Sequence, residues 1–163
     1  MSNRWIILAV LIILYVPVSI DATVLHVATP RLTVALGATG TELLWIVDMY
    51  PLVMAGLLLP MGALGDRIGF KRLALIGSTL FGLASLAAAL APTAFVLILA
   101  RAALAVGAAM ILPATAAGIR LTFDNDKERN IALGLWTAVS AGGSAFGPLV
   151  GSLLLEYFDW GSE

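Results

Sequence analysis

Gly62-Ala63-Leu64-Gly65-Asp66-Arg67-Ile68-Gly69-Phe70-Lys71-Arg72 is a polar, cationic break set between two long apolar runs, residues 43–64 and 73–90. Its glycines permit a tight reversal, and Asp66 reads as the end of a helix. Arg67, Lys71 and Arg72 mark a surface on the cytoplasmic side of a bilayer. Outward from this break the pattern repeats. A bilayer core of roughly 30 Å takes about 20 apolar residues at about 1.5 Å each, and five runs have that length: residues 5–28, 43–64, 73–90, 95–121 and 131–158. The breaks between them, 29–42, 65–72, 91–94 and 122–130, are short and polar. Pro30 and Pro92 fall at run ends, whereas Pro17, Pro51, Pro60, Pro113 and Pro148 fall inside runs and predict kinks. Asp124 and Asn125 are candidate N-caps for the fifth helix, with Asp126 and Glu128 complementing its dipole in the first turn. Tyr157 and Trp160 read as an outer interfacial belt. The expected fold class is an all-α membrane protein of about five transmembrane helices.

Composition removes several functions. Hydrophobic residues make up 61% of the 163 and charged residues 12%, whereas a soluble domain carries roughly 25% charged residues. The mean hydropathy is +1.02, so the chain cannot cover a core with polar surface and its first partner is the lipid bilayer. Nine Lys and Arg against ten Asp and Glu leave a net charge of -1, which provides no basic field to gather nucleic acid. There is no cysteine and His26 is the only histidine, so thiolate chemistry, disulfides and His-cluster metal sites are excluded; no metal and no cofactor is expected. The sequence carries no nucleotide-binding glycine loop with Lys and Ser/Thr, which argues against ATP as the direct driver. It also has no nucleophile–base set, which argues against an enzyme. The apolar start after Arg4 superficially resembles a signal peptide, but it continues past Asp21 to Ala28 with no small-residue cleavage site, and reads as a retained span.

Charge placement gives an orientation. With the N-terminus in the cytoplasm, Arg4, Arg67, Lys71, Arg72, Arg120, Lys127 and Arg129 all fall inside, only Arg31 falls outside, and Arg101 lies within the membrane. An ionisable group at that depth costs at least about 2.5–3.5 kcal/mol and persists mainly when paired or functional. Asp21, nine residues before Pro30, and Arg101, eight after Thr93, both come to roughly 12–14 Å below the outer ends of their helices. Equal depth lets them face each other, as a structural ion pair or as a site where Asp21 exchanges a proton for a cation. Asp48 lies shallower, within Trp45-Ile46-Val47-Asp48-Met49-Tyr50. It reads either as a snorkelling interfacial anchor or as the counter-charge of an entrance site whose aromatic faces are Trp45 and Tyr50. His26 is open to two readings, proton relay or hydrogen-bonded packing residue.

Several of these stretches resemble a known family. Gly62, Gly65, Asp66, Arg67, Gly69, Lys71 and Arg72 match the signature cytoplasmic loop of the major facilitator superfamily, which implies a gate latch in which Asp66 pairs with nearby cations; Phe70 stands where that family more often has Arg. A simple topogenic loop is the other reading. Leu97 and Arg101, followed by Ala108-Ala109, look like the fourth-helix motif associated with proton coupling, with Leu104 and Ala105 in place of Gln and Gly. Gly143-Ser144-Ala145-Phe146-Gly147-Pro148-Leu149-Val150-Gly151 resembles the fifth-helix motif of antiporters, which implies export rather than import. By spacing alone, Gly143, Gly147 and Gly151 form a flat stripe for close helix packing, bent at Pro148. Asp21-Ala22-Thr23-Val24-Leu25-His26-Val27-Ala28-Thr29-Pro30 and the Trp45–Tyr50 stretch are similar to the first two helices of the fourteen-helix drug:proton antiporters, including bacterial quaternary-ammonium and methyl viologen exporters. That resemblance covers essentially the whole chain. It implies proton-coupled efflux of lipophilic cationic drugs and antiseptics across the bacterial inner membrane.

The expectation is therefore most of an N-terminal six-helix half-domain, with 158–163 leading into a further span and a C-terminal transporter half as partner. Without that half, the glycine stripe would lack its partner and is expected to drive self-association. Two alternatives come from other classes. One is a small membrane scaffold that binds a partner without transporting; the other is a metabolite uptake symporter of the same fold.

Overall fold

Hydrocarbon offers no water to backbone N–H and C=O groups, so apolar runs of this length satisfy them internally, as helices. The computed structural model describes residues 2–157. Across them the chain is all α, with α1 (Ser2–Leu36), α2 (Gly40–Ile68), α3 (Phe70–Ala89), α4 (Ala94–Thr122) and α5 (Asp126–Tyr157). All five helices are long and apolar enough to cross a membrane. Their outward faces carry bare aliphatic and aromatic side chains such as Leu59, Leu83, Phe95 and Leu149, as a lipid-facing surface requires. Tyr157 ends α5, while Trp160 of the expected belt and the onward span at 158–163 lie outside the described residues.

The helices outrun the apolar runs because polar residues finish them. α1 does not stop at Ala28 but continues through Pro30 to Leu36. Thr29 Oγ1 donates to Leu25 O at 2.7 Å and Thr33 Oγ1 to Thr29 O at 2.9 Å, so these hydroxyls are satisfied within the helix they were expected to end. The turn comes at Gly37, whose φ of 59° is the left-handed value that ends helices. α2 then opens three residues before Leu43 with a capping box: Glu42 N donates to Thr39 Oγ1 and Thr39 N to Glu42 Oε2. At its other end Asp66 does not terminate α2. The helix runs to Ile68, Gly69 N donates to Gly65 O at 2.9 Å, and Gly69 at φ 89° is the single residue between α2 and α3. Thr93 caps α4 by accepting from Val96 N. Of the two candidates for α5, Asn125 is the cap, accepting from Lys127 N at 2.9 Å, while Asp124 offers only its carbonyl, to Arg129 Nη2.

Packing places α4 at the centre. α2 and α3 lie along it, while α1 lies along α5 and touches α4 more lightly. The α3–α4 crossing is a backbone contact: a Cβ on Gly107 would come within 2.9 Å of Gly77 O and Phe81 N. Small residues make this approach possible, since lipid tails give apolar helices no hydrophobic reason to associate and close dispersion contact must serve.

Gly107→Ala is expected to destabilise the bundle by about 1–3 kcal/mol through overpacking. Gly56→Ala, with nothing within 4 Å of its new Cβ, should stabilise by about 0.5–1 kcal/mol through helix propensity. Thermal unfolding in detergent, followed by tryptophan fluorescence, reads both.

Candidate functional site

The site begins with how α1 is rotated. Ser19 and Thr23, one turn apart, face α5: a Cβ on Gly143 would collide with Ser19 Oγ, and one on Gly147 with Thr23 Oγ1. Gly151 continues the contact against Val24 at ordinary distance, 3.5 Å. The glycine stripe is therefore filled by α1 of the same chain, and the expected self-association through it loses its basis. At about 100° per residue, seating 19 and 23 on α5 turns residue 21 away, toward α4.

There Arg101 Nη1 donates to Asp21 Oδ2 at 2.8 Å. The arginine is 3% exposed, whereas a quarter of the Asp21 side chain, 25%, remains accessible. A cavity of about 210 Å³ lies beside the pair, lined by Asp21, Leu25, Ala28, Ser85, Leu97 and Arg101. The guanidinium meets one carboxylate oxygen and, on another side, the ring of Tyr50, whose centroid lies 4.5 Å from Arg101 Cζ. Arg101 Nε and the Tyr50 hydroxyl are both buried without a hydrogen-bond partner among the described residues.

Tyr50 therefore does not join Trp45 and Asp48. It lies two helical steps from Asp48, about 200° of rotation, and it is 3% exposed inside the bundle with Tyr15, Phe81, Leu104 and Ala105. Trp45 and Asp48 are exposed on the outer flank of α2, where with Thr41, Leu44, Pro51 and Leu52 they line a shallow depression of about 590 Å³. The entrance site read from the sequence thus splits between two places. His26 is exposed, stands about 140° around α1 from Asp21, and makes no hydrogen bond among the described residues, so the structure does not bring it to the ion pair.

At the α2–α3 loop, Asp66, Arg67, Lys71 and Arg72 are all exposed, and among the described residues no ion pair forms at Asp66. Phe70 makes the contact instead. Its ring covers Gly65, where a Cβ would stand only 2.6 Å from Phe70 Cε1, so a side chain at 65 would displace the ring. Gly62 lies half-buried near Pro113. Clusters of three or more His, Cys, Asp or Glu able to hold a metal ion do not occur among the described residues.

The sequence reading missed one group. Tyr15 Oη and Ser140 Oγ are 2.9 Å apart and share a hydrogen bond, and the Tyr15 ring stacks on Trp136 with centroids 4.7 Å apart. This links α1 to α5 nearer the N-terminal end of α1 than Asp21. Isolated aromatics in apolar runs carry no signal of that kind, because α1 and α5 become neighbours only in the folded bundle.

Residues 11–162 match the family model described as Major Facilitator Superfamily. The chain is 65% identical over 162 residues to "Methyl viologen resistance protein SmvA" of Salmonella typhimurium, covering 99% of this chain and 33% of that protein. It is 46% identical over 161 residues to "Multidrug efflux pump LfrA" of Mycolicibacterium smegmatis, covering 99% and 32%. To "Methylenomycin A resistance protein" of Streptomyces coelicolor it is 43% identical over 148 residues, covering 91% and 31%. The chain thus spans about a third of the length of the curated relatives it matches.

The seat of α1 on α5 can be measured. Gly147→Ala should destabilise by about 1–3 kcal/mol, and adding Thr23→Ala should return part of that loss, with a coupling of about 0.5 kcal/mol or more. Strictly additive unfolding midpoints in the double-mutant cycle would mean that the two residues do not touch.

Proposed function

The chain belongs to the Major Facilitator Superfamily, a multi-pass membrane transporter family, and from that premise we propose that it works within a proton-coupled exporter of lipophilic cationic compounds. One observation carries the reading: a carboxylate and a guanidinium paired at 2.8 Å at membrane depth, with the acid reachable from a cavity and the base sealed. Charges so placed are costly and are retained chiefly where they bind or move something charged.

The cycle follows from electrostatics. Burial disfavours an ionised Asp21, and the fixed positive charge of Arg101 favours it. Because arginine stays protonated, the exchangeable proton belongs to Asp21. With the acid ionised, the cavity offers an attractive position to an apolar cation; once it is protonated, that attraction is lost and the cargo leaves. Alternating access to the two membrane faces turns this exchange into antiport driven by the inward proton gradient. Substrate sites of such folds sit where two repeats meet near the midplane, and we infer that transport requires a protein of the relatives' length, with a second half closing over this one.

The remaining residues take roles in this scheme. Trp45 and Asp48, exposed toward the outer end of α2, form a shallow aromatic and anionic depression for a cation. The Gly62–Arg72 loop acts as a latch on the cytoplasmic side, with the N-terminus on the same side and the protein in the bacterial inner membrane. Its free charges are left for a partner surface, since Phe70 already closes the loop on Gly65. The seating of α1 against Gly143 and Gly147 favours export, being the contact through which the antiporter-type motif fixes Asp21.

Efflux of methyl viologen and ethidium should be measured in cells energised by a proton gradient and expressing a transporter that carries this segment. Asp21→Asn is expected to reduce efflux to the level of cells without the transporter, at undiminished membrane expression, and a protonophore should do the same to the parent. Efflux that survives Asp21→Asn would remove the carboxylate from the mechanism.

A further inference from the structure

Arg101 has few partners for a buried cation. Its Nη1 reaches one oxygen of Asp21, its Nε reaches nothing among the described residues, and its guanidinium carbon stands 4.5 Å from the centre of the Tyr50 ring. The Tyr50 hydroxyl, also buried, is without a partner. The ring face, not the hydroxyl, is therefore what Tyr50 presents to the arginine.

The two partners differ in what they depend on. The attraction of Asp21 lasts only while the acid is ionised, and Asp21 is the accessible member of the pair. Attraction to an aromatic face comes from the ring quadrupole, is strengthened by desolvation, and does not change when a neighbouring acid is neutralised. Arginine keeps its charge throughout. A buried cation that loses its only counter-charge leaves its site or finds another partner.

We propose that Tyr50 is the second, charge-independent partner of Arg101, a positioning residue that keeps the guanidinium in place while Asp21 is protonated or engaged with a cation. Its position supports this use. Tyr50 projects from α2 into the packed layer that holds Phe81, Leu104, Ala105 and Ala108, so the ring cannot move without disturbing the α2–α4 contact. Arg101 is thereby ready for Asp21 when the acid ionises again. The role rests on the exporter reading for its purpose, but the arrangement can be tested without transport.

The experiment uses the chain in detergent micelles, with thermal unfolding as the readout and Asp21→Asn standing for the neutral acid. Tyr50→Leu should lower the midpoint in the parent, and should lower it about twofold more, or beyond, in the Asp21→Asn background, where the ring is the remaining partner. Tyr50→Phe should restore both. In an Arg101→Met background the effect of Tyr50→Leu should shrink to simple packing loss. Equal losses in the parent and Asp21→Asn backgrounds, or failure of phenylalanine to restore them, would overturn the proposal. Should Tyr50→Leu not fold, nuclear magnetic resonance of labelled arginine decides with Asp21→Asn alone. A ring-current shift retained at the Arg101 Nε–H proton supports the proposal, and its disappearance sinks it. Because these readouts involve no cargo, a failed efflux assay and a failed cycle report on separate claims.

Discussion

The rotation of α1 about its own axis is the constraint on which this bundle depends. It is set from two sides by unlike forces. On one side Gly143 and Gly147 admit Ser19 and Thr23 so closely that no further carbon fits; on the other, Arg101 holds Asp21 at 2.8 Å. Dispersion between small residues supplies the first, since lipid gives apolar helices no hydrophobic drive to associate. Coulomb attraction in a medium of low polarizability supplies the second. Neither alone aims the carboxylate, but together they leave α1 one setting.

That arrangement also explains how charge is tolerated. The hydroxyls near Asp21 spend their hydrogen bonds locally, Ser19 on Val16 O and Thr23 on Ile20 O, so they compete for neither Asp21 nor Arg101. The guanidinium is then shared between an acid that can change its charge and an aromatic face that cannot. Tyr15, Trp136 and Ser140 continue the contact of α1 with α5 toward the N-terminal end of α1, where apolar packing surrounds a single hydrogen bond. Among the described residues the buried polar or charged side chains are Ser19, Arg101 and Thr115, the last bonded back to its own helix at Ile111 O and Leu112 O.

How much of this could be read from residues alone depended on geometry. Depth along a helix is one-dimensional, so counting from Pro30 and Thr93 brought Asp21 and Arg101 to one level, and the structure pairs them. Azimuth is not legible in the same way. Trp45, Asp48 and Tyr50 lie close in sequence, yet Trp45 and Asp48 share one side of α2 while Tyr50 points to another, and only the position of α4 decides which is inside. The stripe of Gly143, Gly147 and Gly151 announces that something packs there without saying that it is α1. Helix ends were misplaced at Thr29 and Thr39, which bond backward or cap, and at Asp66, past which α2 runs on to Ile68, because an apolar run marks the hydrocarbon core and not the helix.

Sequence separation in the Asp21–Arg101 pair has a consequence for biogenesis. The two residues are 80 positions apart, and at a synthesis rate of about 5–20 residues per second the ribosome needs roughly 4–16 s to make the intervening chain. During that interval α1 has left the ribosome without the arginine that pairs with its acid in the folded bundle. The glycines that seat it are more distant still. The pair, and with it the setting of α1, can form only once the fourth helix has been made.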